Sequence, residues 1–557
     1  MSKPLSGRRA SDDALLPALG QTADLLLILL IAAGVCLFIL WPMLCIVLRS
    51  LNGENGPTMQ HYMTVIRNYG DSLLNSIFVA LSVSVITTLI SLCAALYIST
   101  GQGWRKRVCL LLLLMTMVSP PFVSSLAYIQ LYGRRGWITY RLLGLRWNPY
   151  NCWGVIAMES LSFTPVSTML LTGILERTDP VPLLSARDLG ASRDSILYDM
   201  ILPAMKPGIL ASLLLCFVRS LADYGTPVII GGRFSTLASE IYLQLVGFSD
   251  LEKASAMNIL LMIPAVFFFF FYRRFMEQIQ QSGSGTTEKR RLEFSLSGCR
   301  SGPVVRAVSG VYFVTMSLQY FCIFISAVSK HTRNGRIFTM EYLSQLYTYN
   351  ADAMLRSVEY ALITAVAGTV FAMLLSYYVV RRQIPGSRLL DCAATMPYMI
   401  PGSCFGIGYI LAFNHEPLKL TGTALIVLAN MLFKQLPTSS KICAASLTQI
   451  STAEECAARD LGAGRLRVLF DVILPEMRPA FLSCFVYHFS SSMTTAGAIL
   501  FLINPGKKLA VFRLFDAVCS GDYGLASAIA AQIILIVLAA EGLVFLLLGK
   551  TEEIDVS

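Results

Sequence analysis

The 557-residue chain is 55% hydrophobic and only 14% charged, with a mean hydropathy of +0.62, whereas a soluble domain carries about 25% charge. These figures exclude an ordinary soluble protein and describe a membrane protein. The formal net charge of +10 fits basic cytoplasmic loops better than a nucleic-acid surface, so no nucleic-acid partner is expected.

A polar N-terminal tail, residues 1–23, carries Lys3, Arg8 and Arg9. The apolar run behind it, 24–48, is too long for a signal-peptide core and lacks a small-residue cleavage site, so it is read as a retained helix. Runs long enough to cross a hydrocarbon core, roughly 20 residues, follow at 73–99, 108–132, 152–175, 208–231 and 255–272. A Gly-, Ser- and charge-rich stretch, 276–303, is expected to be a flexible cytoplasmic linker. A second set of runs lies at 304–328, 355–380, 389–413, 422–447, 480–503 and 525–548. Each span must satisfy its backbone hydrogen bonds internally and far exceeds the roughly ten residues of a barrel strand. The predicted fold is therefore an all-α polytopic membrane protein of about twelve transmembrane helices, with a first half over 24–275 and a second over 304–550.

With both termini inside, Lys and Arg favour the inner segments, except for residues 132–151, which place Arg134, Arg135, Arg141 and Arg146 outside. The fourteen cysteines are scattered without a CxxC pair and mostly sit in apolar runs, as small core residues do.

Between the fourth and fifth runs stands a polar island, "ARDLGASRDSILYDMILPAMKP", residues 186–207. It returns 272 positions later as "ARDLGAGRLRVLFDVILPEMRP", residues 458–479, with 14 of 22 positions identical. Other fragments repeat in the same order, among them "TMVSPPFV" and "TMPYMIPG". The chain is thus a duplication of two six-span halves in parallel orientation. In each island a short polar helix is expected to end at Gly190 or Gly462, where glycine tolerates a left-handed backbone. Ser192 can cap the next turn in the first copy, and Ile201-Leu202-Pro203 or Ile473-Leu474-Pro475 leads back to the membrane. Arg187, Asp188 and Arg193 match Arg459, Asp460 and Arg465 in type and spacing. Both halves therefore offer some partner the same surface.

The island resembles the EAA loop of membrane subunits of ATP-binding-cassette importers, which reads EAA, three residues, Gly, nine residues, I-x-L-P. The spacing from Gly190 to Leu202-Pro203 and from Gly462 to Leu474-Pro475 matches, and the six-helix halves cover nearly the whole chain. The resemblance implies two loops, about 180–207 and 452–479, that couple to ATPase subunits through Ala186, Arg187, Asp188, Gly190, Leu202 and Pro203, and through Glu455, Ala458, Arg459, Asp460, Gly462, Leu474 and Pro475. The chain departs from the family pattern at the Glu, which is Leu184 in one copy and Cys456 in the other, with Glu454 and Glu455 just upstream. No GxxxxGK[ST] loop occurs, since "NPGKKL" at 504–509 lacks the leading Gly and the Ser or Thr. By the resemblance this chain is no enzyme and binds no cofactor. ATP and Mg belong to two separate ATPase subunits, expected as a homodimer, and cargo comes from an extracytoplasmic binding protein at the bacterial cytoplasmic (inner) membrane.

Fused twelve-helix permeases of this kind are similar to ferric iron, thiamine, phosphonate and polyamine importers. Residues 220–247 and 491–528 look most like the ferric iron group, although related phosphonate permeases carry similar phrases. A secondary transporter remains the alternative from another class. Pathway candidates are Arg219 and Asp223, four residues apart and expected to pair on one helix face, their second-half counterparts Ser491 and Thr495, and His488, expected to bond Ser490 or Ser491. His61, His331 and His415 fall in outer loops, and no metal site can be named.

Overall fold

The computed structural model describes residues 9–53, 56–101, 103–144, 148–176, 178–248, 250–282, 294, 296, 298–332, 335–398, 400–503 and 505–554. Lys3, Arg8, Arg146, the side chains of Arg9 and His331, and linker positions 283–293 lie outside what is described.

The first half opens with α1 (Arg9–Val35), which passes through a π-helical turn into α2 (Trp41–Leu51). A short antiparallel hairpin, β1 (Asn52–Gly53) and β2 (Gly56–Pro57), leads to α3 (Gln60–Thr100). Then come α4 (Trp104–Val118), α5 (Phe122–Tyr132), α6 (Cys152–Glu176), α7 (Pro180–Asp188), α8 (Arg193–Ser195), α9 (Leu202–Ala222), α10 (Gly225–Ile230), α11 (Leu237–Leu243) and α12 (Leu251–Ser282). The second half repeats the plan: α13 (Gly302–Ala327), the hairpin β3 (Ser329–Thr332) and β4 (Gly335–Phe338), α14 (Glu341–Gln345), α15 (Ala351–Ser376), α16 (Ser387–Thr395), α17 (Gly402–Phe413) and α18 (Ala424–Leu447). It closes with α19 (Thr452–Asp460), α20 (Arg465–Val468), α21 (Leu474–Glu476), α22 (Arg478–Thr494), α23 (Ala510–Cys519) and α24 (Tyr523–Ile554).

All twelve expected runs are helical, but not all are unbroken spans. Among the described residues eight helices are long and apolar enough to cross a membrane, and two bent pairs bring the number to ten. The pairs are Trp104–Val118 with Phe122–Leu142, bent by 109°, and Ser387–Tyr398 with Gly402–Phe413, bent by 114°. Pro120-Pro121 and Pro401 sit at these corners, where a missing N–H and the clash with the preceding residue stop a helix. The other two runs are α18, which carries Asn430, Lys434 and Gln435, and α22, only 17 residues long. Their polarity is tolerable because they face protein rather than lipid.

In each half the same three helices form the packing unit: α3, α6 and α9 in the first, α15, α18 and α22 in the second. Their contacts use small polar residues, as membrane helix interfaces do. Ser91 Oγ donates to the Thr164 carbonyl (3.1 Å), Ser376 Oγ to the Ser440 carbonyl (2.8 Å), and Thr88 and Ser212 hydroxyls meet at 3.4 Å.

The leading helices cross over. From the first half, α1 and α2 pack on α16, α17 and α20 of the second. Phe38 stacks on Phe433 with ring centroids 4.9 Å apart, and Tyr409 Oη donates to the Phe38 carbonyl (2.8 Å). From the second half, α13 packs on α3 and α5, and the Ser119 and Tyr320 hydroxyls meet at 2.8 Å. The sequence halves are thus clasped by an exchange of their first helices.

At one end of this clasp Asp24, buried, receives Arg382 Nη1 (2.5 Å) and the Tyr378 hydroxyl (2.8 Å). Removing one partner of a fully enclosed pair costs about 3–5 kcal/mol. Because Arg382 keeps some solvent contact, Asp24→Ala is expected to cost about 2 kcal/mol, read as a lower Tm of the purified protein. The Asp24→Ala/Arg382→Ala double variant should recover part of the loss. A single variant that melts with the wild type would show that the clasp is not held here.

Candidate coupling surface and translocation pathway

Both islands fold the same way, and the reason is local. Asp179 and Ser451 cap the first helix of their islands, accepting from the N–H of Val181 (2.9 Å) and Ala453 (3.2 Å). Each helix ends in a Schellman turn. Gly190 N–H donates to the Arg187 carbonyl (3.0 Å) and Ala191 N–H to Ala186 (2.9 Å); Gly462 N–H donates to Arg459 (2.9 Å) and Ala463 N–H to Ala458 (3.0 Å). Both glycines have φ = +85°, as their sequence positions predict. Ser192 caps α8 by accepting from Ser195 N–H (3.1 Å). Its second-half counterpart, Gly464, makes no side-chain cap.

The turn sets one residue type apart. Leu189 is 89% exposed and Leu461 90% exposed, each at the tip of its island and flanked by exposed Arg-Asp and Gly. No intramolecular packing explains an apolar side chain in that position. The sequence signal was present as the leucine of the repeated "ARDLG", but apolarity alone does not say which way a side chain faces. Behind the tip, Ile201 and Ile473 are buried, Ala186, Ala458, Leu202, Leu474 and Pro475 are half-buried, and Pro203 is exposed. The repeated Ile-Leu-Pro strings therefore mostly anchor the tip rather than present a surface.

The islands rest on their halves differently. Glu455 is buried, not presented: Oε1 receives Arg381 Nε, and Arg459 approaches Oε2 at 3.7 Å. Arg381 also donates to the carbonyls of Leu447 (3.3 Å) and Ile450 (3.0 Å). The matching position in the first half is Leu183, packed in an apolar cluster with Ile196, Leu197 and Ile201. The linker's described end joins that cluster through Leu296, and Arg300 N–H donates to Asp194 Oδ1 (2.9 Å). This end is docked on the first island rather than free, a correction to the expected flexible tether. Cys299 is buried there, and desolvation pushes its thiol up, whereas Cys456 on the second island is exposed.

In the pathway the expected Arg219–Asp223 ion pair does not form. Helix α9 ends at Ala222, and Asp223 has an extended backbone (φ −80°, ψ 114°), so the two residues do not share a helix face. Asp223 instead opens the next helix: Oδ1 accepts from Gly225 N–H (2.9 Å) and Oδ2 from the Thr226 hydroxyl (2.6 Å). Arg219 is exposed and enters none of the described ion pairs. The second half breaks at the equivalent place. Helix α22 ends at Thr494, and Thr495 (φ −69°, ψ 127°) returns both its N–H (2.8 Å) and its hydroxyl (2.5 Å) to the Ser491 carbonyl. His488 is fully buried, but its partner is Gln435, whose amide N–H donates to Nδ1 (2.9 Å) while its oxygen accepts from Ser492 (3.3 Å). Ser490 turns to Glu541 (3.0 Å). The ring also presses on Gly368, where a Cβ would come within 2.5 Å. A buried carboxylate absent from the expectations, Glu159, accepts from Ser220 and leaves its other oxygen without a partner.

Comparison with known proteins follows this geometry. A family model described as "Binding-protein-dependent transport system inner membrane component" matches twice, over residues 88–280 and 364–550. The chain is 28% identical over 522 residues to a ferric transport system permease protein, FbpB, of Actinobacillus pleuropneumoniae, covering 90% of this chain and 75% of that one. A putative ferric transport system permease protein, FbpB 1, of Haemophilus influenzae is 27% identical over 513 residues, covering 89% and 80%. A sulfate transport system permease protein, CysT, of Salmonella typhimurium matches only 187 residues, 31% of this chain, at 29% identity. With two matches that together span more than half its length, each holding one island, the chain belongs to the family of binding-protein-dependent transport inner membrane components and carries that domain in both halves.

Proposed function

We propose that this permease carries ferric iron from an extracytoplasmic binding protein into the cytoplasm, and that each island docks into one ATP-hydrolysing subunit of a homodimer. The observation that carries the docking role is the pair of exposed leucines, Leu189 and Leu461, held at the tips of two turns with the same glycine φ and the same hydrogen bonds. An apolar knob on a rigid turn, ringed by Arg and Asp, suits a cleft with an apolar floor and a polar rim. Two equal knobs suit two equal partners. The iron assignment is supported by the two relatives named as ferric permeases that align across most of the chain. The same reading places both termini and both islands in the cytoplasm of a bacterium and the β-hairpins outside. ATP and Mg stay on the partner, and this chain transmits force without chemistry.

Four outcomes test it. Valine at Gly190 or Gly462 is strained by about 1–3 kcal/mol at positive φ, so each variant should insert in the membrane yet lose transport. Leu189→Asp and Leu461→Asp, which leave the backbone alone, should weaken ATPase association. If the Asp variants retain wild-type association and cargo-stimulated hydrolysis, the tips are not the docking elements. Exposed Cys456 should react with an impermeant thiol reagent only from the cytoplasmic face, and labelling from outside intact cells would reverse the topology. In the reconstituted complex, iron-loaded binding protein should stimulate ATP hydrolysis several-fold over the unloaded protein. Stimulation by phosphonate or polyamine in place of iron would reassign the cargo.

A further inference from the structure

The helix breaks leave a group of hydrogen-bond donors without acceptors where the two halves meet. Lys434 stands midway along α18, with Nζ 2.8 Å from the position a Cβ on Gly402 would take and 3.7 Å from one on Gly497. Among the described residues no ion pair or hydrogen bond reaches this ammonium. Gly402 begins α17, a helix of 12 residues. Its first backbone bond is made by Phe405 N–H to the Pro401 carbonyl (3.2 Å), so the N–H groups of Gly402, Ser403 and Cys404 have no described acceptor. From the first half comes Tyr224, 5% exposed, whose hydroxyl has no partner and whose ring edge lies 3.8 Å from the same Cβ position on Gly497.

Every one of these groups is a donor, and the ammonium and the helix N-terminus carry the same sign. An ammonium on a half-buried lysine, beside the positive end of a helix dipole, is unfavourably placed unless something negative joins them. Helix N-termini exposed at a mid-membrane break are suited to anionic groups for the same reason. The room is one-sided. The first-half counterparts of Gly402 and Lys434 are Phe122 and Ser162. There the Phe122 ring closes the gap, lying 2.7 Å from where a Cβ on Gly225, the match of Gly497, would stand. Only the second half combines the charge with the space.

We propose that Lys434, the first turn of α17 and the Tyr224 hydroxyl form an oxyanion site in the translocation pathway, bound in transit by a phosphate-type oxyanion carried with the cargo. The inference rests on the permease reading above and narrows it: a bare trivalent cation is repelled by Lys434, whereas ferric ion with an anionic ligand is held through that ligand. A Cβ at 402 would stand 2.8 Å from Nζ, so the ammonium would have to shift away from the first turn of α17. The site is shared between the halves, so it forms only when both breaks face one another.

The test uses the permease with its ATPase subunits in lipid nanodiscs and [³²P]phosphate as the probe. Wild type should bind phosphate saturably, Lys434→Met should weaken it about tenfold, the loss of one charge-assisted hydrogen bond, and Lys434→Arg should restore most of it. Gly402→Ala provides a second arm that keeps the charge and should also weaken binding. Complex yield on gel filtration separates these effects from misfolding, and if Lys434→Met does not assemble, Gly402→Ala and Lys434→Arg decide. No saturable binding by wild type, or equal binding by all variants, overturns the site. In proteoliposomes fed by binding protein loaded with ⁵⁵Fe and [³²P]phosphate, both labels should enter together and both should slow in Lys434→Met. Iron entering alone, at equal rates in both proteins, excludes the oxyanion site and leaves the iron assignment standing. Lys434-dependent phosphate binding without iron entry keeps the site and overturns the iron assignment in favour of an organic phosphate.

Discussion

Within a hydrocarbon layer a backbone N–H or C=O without a partner costs several kcal/mol, so a helix can be interrupted only where protein or water covers the break. This constraint organises the molecule. The chain is broken near Ser119–Pro121, at Asp223–Tyr224, before Gly402 and at Thr495, and each break lies beside a partner from elsewhere in the fold. Asp223 satisfies the N–H groups that follow it, and Thr495 turns back on Ser491. Around α17 the donors are not satisfied, and that is where the halves face each other. A pathway through the membrane is the one place where such groups are useful, since a passing ligand completes them.

Duplication gave the molecule two equal outer contacts and an unequal interior. The Schellman turns of the two islands agree to within 0.1 Å in their paired hydrogen bonds, because the turn depends only on a short string that both copies retain. Their foundations differ: Arg381 and Glu455 in one half, Leu183 and an apolar cluster in the other. The turn depends on its own string and not on what lies beneath it, so the supports are free to diverge. Inside, Glu159 occurs in one half and Lys434 and His488 in the other. A cargo that is not itself two-fold symmetric gains from such a lining.

The exchange of first helices explains how a fused chain keeps two moving halves together. Asp24, Phe38 and Tyr409 hold α1 and α2 to the second half, and Ser119 and Tyr320 hold α13 to the first. These contacts are aromatic, hydrogen-bonded and ionic, and Ser119 places one of them at a helix break. The docked end of the linker, at Leu296 and Arg300, adds a tie between the second half's first helix and the first island. The first island is thereby tied to both halves.

Composition and periodic apolarity alone determined the membrane class, the helical fold, the duplication and the two glycine turns, because each follows from local chemistry repeated along the chain. Gly190 and Gly462 could be placed at positive φ from spacing alone, and their geometry follows that expectation. The tertiary structure decided what depends on contacts between distant residues. Among the described residues twelve apolar runs became eight helices long and apolar enough to span, two bent pairs and two polar helices, since hydropathy measures transfer to lipid and is blind to a helix that faces protein. The Arg219–Asp223 pair, sound on an unbroken helix, is lost because the helix stops at Ala222. Glu455 turned inward to Arg381, 74 positions away, and His488 found Gln435, 53 positions away. Lys434 drew no notice in a list of residues, for an isolated lysine in an apolar run states only a cost; its significance came from Gly402, Gly497 and Tyr224, which only the fold brings to its side.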